Sequence, residues 1–290
     1  MRLATLRTPT GSVAVRVEDG ELIELPYTDV VALLSDPDWP KAARCDGGRR
    51  HPASGADFDS PVRPAKVVCV GLNYRSHIEE MGRPLPEYVT LFAKFTDTLA
   101  GPYDDLVVPA AASEVDWEAE LGVVIGRSAR NVSESEAAAC IAGYTVVNDV
   151  SMRDWQWRTT QWMAGKNFEA STPVGPVVVT GDEVGDAADL ELGCDVDGVT
   201  MQKARTSDLL FPPAAVVAYV SRFTTLRPGD LIATGTPGGV GAGRDPKVFL
   251  RPGQLLETTL EGVGSCRNLM VPDPGTRDPG MPHPGMAGTA

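Results

Sequence analysis

From residue 65 onward the chain is a succession of short apolar runs punctuated by Gly and Pro, at residues 67–70, 90–93, 121–125, 144–147, 177–180, 193–196, 231–234 and 255–260. Runs this short, bounded by turn formers, are of strand length. Helical character is confined to two stretches in this part. Residues 133–142 carry it with Ser133 as N-cap and Glu136 three residues on, the two halves of a capping box. Residues 214–224 follow Pro212 and Pro213, which suit a first helical turn. Helices so few do not fit a doubly wound α/β fold, in which strand and helix alternate throughout. The pattern predicts a sheet-rich domain.

The first 60 residues read differently. Strand-like stretches at 2–8, 13–17 and 21–24 lead into a short helical run at 29–34, and residues 44–61, rich in Gly, Pro, Arg and Asp, read as a linker. The expected organisation is a small N-terminal domain at 1–60, a larger domain at 65–271, and a tail at 272–290. That tail is dominated by Pro, Gly and small residues, cannot bury a face, and is expected to be disordered. A chain of 290 residues is long enough for a full core.

The net charge of −13 argues against a nucleic-acid groove, which needs clustered cations to neutralise phosphates. Arg2 and Arg7 are not followed by a signal-peptide core, and no run approaches the roughly 20 apolar residues of a membrane span. A cytoplasmic location is the expectation. Five scattered cysteines without a C-x-x-C pair support neither a disulfide framework nor a zinc ribbon. Cys69 and Cys140 sit in apolar surroundings and read as buried, inert thiols.

The chemistry concentrates in DWEAELGVVIG, where Glu118 and Glu120 lie two apart. On a strand that spacing puts both carboxylates on one face. Like charges so close repel unless something positive sits between them, although the same spacing also suits a solvated edge. Asp149 ends the apolar strand GYTVVNDVS and needs a partner of its own. Three oxygen donors with no nearby His or Cys suit a hard ion, Mg²⁺ or Mn²⁺, and leave coordination positions for a chelating 2-oxo acid or enolised 1,3-dicarbonyl.

Of three histidines, His51 falls in the linker and His283 in the tail, leaving His77. It precedes Glu80 by three residues, a helical spacing that lets a carboxylate orient an imidazole as a general base, or merely forms a surface ion pair. Lys166, after Gly165, reads by itself as a surface lysine that can pair an oxyanion. The stretch IATGTPGGVGAGRD lacks the GK[ST] of a P-loop, and Pro246 and a strand-like KVFL follow it instead of a helix. It reads as a flexible loop presenting the N–H groups of Gly235 and Thr236 to an anionic ligand. A dinucleotide oxidoreductase would rest on this loop alone, and a non-catalytic binding protein would be expected to lack one of the acidic residues or His77, all of which are present.

Taken in order, VGLNYRSHIEE, LFAKF, DWEAELGVVIG, GYTVVNDVSMRDWQ, GKNF, TPVGPVVVT, TSDLLF and LRPGDLIATGTPGGVG resemble the fumarylacetoacetate hydrolase family from about residue 66 to 271. The resemblance implies an α+β, predominantly β fold, a mixed β-sheet roll with a smaller N-terminal domain, working as a homodimer. It implies Glu118, Glu120 and Asp149 as metal ligands and His77 with Glu80 as a dyad on a lid. It implies Lys166 and Gln156 as groups that position substrate or water, and Thr236 in the substrate-binding loop. Met152 and Pro212–Pro213 depart from the family's usual residues and bear on substrate shape. The expected activity is hydrolysis of a C–C bond in a small acylpyruvate or 1,3-dicarbonyl acid, with decarboxylation or tautomerisation of a 2-oxo acid of the 2-hydroxymuconate type as the alternative on the same site.

Overall fold

The computed structural model describes residues 1–80, 82 and 84–275, with the Glu80 side chain outside that description. Within these residues eleven strands form one mixed sheet. Its path runs Arg50–Pro52, Glu21–Glu24, Gly11–Glu18, Arg2–Thr8, Thr172–Thr180, Ile141–Asn148, Ala119–Ile125, Leu231–Ala233, Val67–Gly71 and Thr90–Lys94, with Leu99–Ala100 branching off Thr172–Thr180. Most neighbours are antiparallel, but Leu231–Ala233 runs parallel to Val67–Gly71. A second sheet of five strands is built from Val199–Arg205, Glu191–Val196, Leu255–Leu260, Gly264–Pro272 and Leu106–Val108. The fold is sheet-rich, as the pattern of short apolar runs predicts, and is the α+β, predominantly β roll that the family resemblance implies.

Alternation along the central strands divides the core in two. Leu121, Val123 and Ile125 face the five-stranded sheet and pack with Leu192, Cys194, Leu256 and Cys266. On the opposite face Val124, Val174, Val178 and Leu231 pack against Val30, Leu33 and Leu34 of the short helix Val30–Leu34. The N-terminal strands join the same sheet, through Arg2↔Val179 and Leu3↔Val178. The stretch read as a linker contributes the edge strand Arg50–Pro52, three residues too few to show a period.

The capping box at Ser133 is formed. Glu136 Oε2 accepts from the Ser133 N–H at 2.8 Å, and the Ser133 hydroxyl accepts from the Glu136 N–H at 3.4 Å. The helix is shorter than expected, Glu134–Ala138, because Ile141 is already paired in the central sheet. Two prolines start the helix Pro213–Ser221 as read from sequence. KVFL, by contrast, is not a ladder strand: Val248 and Leu250 each bond a single loop or strand carbonyl, on Gly241 and Val115. Gly264–Pro272 and Val199–Arg205 were missed as strands, since each has an exposed face and carries polar residues among its apolar ones. No helix among the described residues is long and apolar enough to cross a membrane. The tail expected to be disordered lies, from residue 276 onward, outside the described residues.

Candidate active site

The site grows from the ends of two neighbouring strands. Ala119 pairs with Asn148, so the next residues outward, Glu118 and Asp149, lie opposite each other, and the Asp149 N–H donates to the Glu118 carbonyl at 2.8 Å. Glu120 stands two residues along from Glu118 and shares its face. One carboxylate oxygen from each of the three lies within 4.8 Å of the others, and all three side chains are buried.

Buried like charges at that spacing need compensation. Lys166 Nζ donates to Glu118 Oε2 at 2.7 Å and to Asp149 Oδ2 at 2.8 Å. Lys94, fully buried, pairs with the other oxygen of Asp149. Arg153 Nη1 lies 2.6 Å from Glu118 Oε1, while Arg153 Nε donates to Asp116 Oδ2 at 2.8 Å. Among the described residues the Glu120 side chain receives only the Gly235 N–H, at 2.8 Å, and no lysine or arginine forms an ion pair with it.

The ionisation of these groups follows from that distribution. Burial, then the charges of Asp149 and Glu118, push the Glu120 carboxyl well above the usual carboxylate range. Burial also works against charge on Asp149, but Lys166 and Lys94 outweigh it and hold that carboxyl below its ordinary value. Burial opposes the Lys166 ammonium too, and Asp149 and Glu118 more than offset it, so this lysine stays charged. A divalent cation fits the donor set: the three carboxylates that converge here are hard oxygen donors, and Glu120 is buried with no ion pair among the described residues.

A cavity of about 660 Å³ opens beside the triad and is lined by Glu118, Lys166, Arg153, Gln156, His77 and Thr236, with Phe92, Trp157 and Trp162 as an aromatic wall. His77 reaches it from the short helix Arg75–Glu80. That helix is held at its start by Asn73, whose amide donates to the Thr234 carbonyl at 2.8 Å and the Phe211 carbonyl at 3.0 Å, and by the buried Ile78. Gln156 Oε1 accepts from Arg153 Nη1 at 2.8 Å, and Thr236 Oγ1 accepts from Gln202 Nε2 at 2.9 Å.

Gly235 is not part of the cavity wall; its N–H serves Glu120, so the anion this loop binds there is the protein's own carboxylate. Lys166, which in isolation reads as a surface lysine, is 2% exposed. The helix Met163–Lys166 packs so closely on Arg153–Gln156 that a Cβ at Gly165 would lie 2.4 Å from Gln156 N and 2.5 Å from the Met152 carbonyl. Gly165→Ala is therefore expected to cost about 1–3 kcal/mol of stability by overpacking and to displace Lys166. Urea denaturation checks the first effect, and a parallel drop in turnover checks the second.

Sequence reading missed Lys94, Asp116, Arg153 and Arg244. Lys94 alone gave a signal, a cation inside the apolar run TLFAKF. Cys69 is buried, and burial followed by Asp149 pushes its thiol well above the ordinary value, in keeping with the inert reading.

Fold and pocket together give a β-roll whose candidate site is a triad of buried carboxylates embedded among buried cations. Residues 66–271 match the family model described as fumarylacetoacetate (FAA) hydrolase C-terminal, and the chain belongs to that family. It is 44% identical over 223 residues to the human protein named oxaloacetate tautomerase FAHD2A, mitochondrial, covering 76% of this chain and 71% of the human one. Among solved structures it is similar to fumarylacetoacetate hydrolase from Exiguobacterium antarcticum, with a TM-score of 0.84 and 30% identity over 94% of this chain and 100% of that one. It is likewise similar to 5-carboxymethyl-2-hydroxymuconate delta-isomerase from Mycobacterium smegmatis, with a TM-score of 0.80 and 33% identity over 94% and 100% of the two chains.

Proposed function

We propose that this protein moves a proton between carbon and oxygen in a small 2-oxo acid, as a tautomerase or isomerase dependent on Mg²⁺ or Mn²⁺ held by Glu118, Glu120 and Asp149. One observation carries the reading: His77 and the buried Lys166 line the same cavity beside the carboxylate triad. A keto–enol shift needs a proton acceptor at carbon and positive charge at oxygen. Imidazole exchanges protons near neutral pH, so His77 is the acceptor for the C–H proton next to the ketone. Lys166 spends two N–H donors on Glu118 and Asp149, and its third remains for the oxygen on which charge develops. An ion held by Glu118, Glu120 and Asp149 would supply Lewis-acid polarisation there. Trp162, edge-on to Phe92 with centroids 5.5 Å apart, gives the cavity an apolar wall.

The names of the human and Mycobacterium smegmatis relatives support this reading over C–C hydrolysis. Hydrolysis is the second reading, favoured by the likeness to the Exiguobacterium hydrolase. In D₂O with Mg²⁺, the protein is expected to speed enol–keto exchange of oxaloacetate, read as deuterium entering the methylene by NMR. Cleavage of an acylpyruvate into two acids, with no acceleration of exchange, would establish the hydrolase instead. A homodimer is also proposed, as the resemblance implies, and light scattering against the 30.8 kDa chain mass checks it.

A further inference from the structure

The cations that line the cavity are not equivalent. Arg153 is paired with Asp116 and Glu118, and Lys166 with Glu118 and Asp149. Arg244, half-buried on the same wall, has no carboxylate partner among the described residues. Its Nη2 donates to the Met201 carbonyl at 2.8 Å and to the Gly239 carbonyl at 3.2 Å, and its Nε to the Gly239 carbonyl at 3.3 Å. These neutral acceptors orient the guanidinium without cancelling its charge, and Nη1 makes no hydrogen bond among the described residues.

The mounting of this arginine is stiff. Its guanidinium lies 5.7 Å from the ring centroid of the buried Trp117, whose indole N–H donates to the Gly239 carbonyl at 3.2 Å. The loop that carries it is clamped by buried Asp116, which accepts the N–H groups of Gly241 at 2.6 Å and Ala242 at 2.9 Å. No other residue fits at Gly241, where a Cβ would lie 1.9 Å from the Val248 carbonyl. A rigid guanidinium in a pocket wall, with no carboxylate partner among the described residues and the N–H groups of Nη1 unspent, has the charge and the donors to receive a carboxylate oxygen.

We infer that Arg244 is the specificity-determining residue that receives a second carboxylate of the substrate, selecting dicarboxylic 2-oxo acids over monocarboxylic ones. The inference rests on the proposed function for the reaction it serves, but its binding arm stands without turnover. Oxaloacetate and 2-oxobutanoate have the same carbon count and differ in carrying a carboxylate or a methyl group at the far end. They are compared on the Mg²⁺-loaded wild type, Arg244→Gln and Arg244→Lys, by exchange kinetics and by calorimetric Kd.

Arg244→Gln is expected to raise KM and Kd for oxaloacetate about ten- to a hundredfold, the worth of a charged hydrogen bond, with kcat nearly unchanged. Values for 2-oxobutanoate should not move, and Arg244→Lys should recover part of the loss. Equal losses on both acids, or none on oxaloacetate, would overturn the assignment. If wild type accelerates exchange of neither acid, yet the calorimetric preference for oxaloacetate disappears in Arg244→Gln, the tautomerase reading falls and Arg244 keeps its role.

Discussion

Glu120→Gln is expected to lower turnover more than about a hundredfold and to weaken Mn²⁺ binding, while leaving the metal-free protein at least as stable as wild type. Loss of a group that only supports a metal ligand costs about ten- to a hundredfold, and loss of a ligand should exceed that. The stability half follows from the pairing pattern. Asp149 and Glu118 each have cations at hydrogen-bonding distance, whereas among the described residues the buried Glu120 carboxyl accepts from one backbone N–H and no cation. Without an ion, burial and two neighbouring carboxylates favour its neutral form, and the amide of Gln imitates that form in shape. Calorimetric Mn²⁺ titration and melting with and without chelator measure both. A fall of several degrees in the metal-free melting temperature would show that Glu120 holds the strand ends together rather than an ion.

His77→Ala is expected to reduce kcat for enol–keto exchange about 10²- to 10⁴-fold, the usual contribution of a positioned acid or base, with Mn²⁺ affinity intact. The separation is possible because His77 comes from the helix Arg75–Glu80, while the three carboxylates come from the ends of Ala119–Ile125 and Ile141–Asn148. Removing the imidazole leaves that sheet register untouched. An exchange rate equal to wild type would reduce His77 to a wall residue and leave the carbon proton to another acceptor.

The residues with the clearest signals in sequence were those whose role depends on local spacing. Glu118 and Glu120 share a face because a strand repeats every two residues, and that holds wherever the strand lies. Ser133 and Glu136 close a capping box within one turn, and Pro212 with Pro213 starts a helix, for equally local reasons. The run of short apolar segments dictates sheets because none is long enough to bury a helix. These features, and the order of eight motifs, were enough for the fold class and for the carboxylate triad.

What spacing does not contain is which strand ends meet and which charges find each other. Asp149 joins Glu118 only because Ala119 pairs with Asn148, a register set by packing across the whole sheet. Lys166 reads as a surface lysine until the close contact at Gly165 buries it against two carboxylates 48 and 17 residues away in sequence. Arg153 meets Asp116 across 37 residues, and Asp116 meets the loop of Arg244 across 125. A charged side chain is ordinarily solvated, so nothing in its neighbours along the chain marks it as buried. Only the tertiary structure decides which of these cations are buried against carboxylates and which, like Arg244, have no carboxylate partner among the described residues.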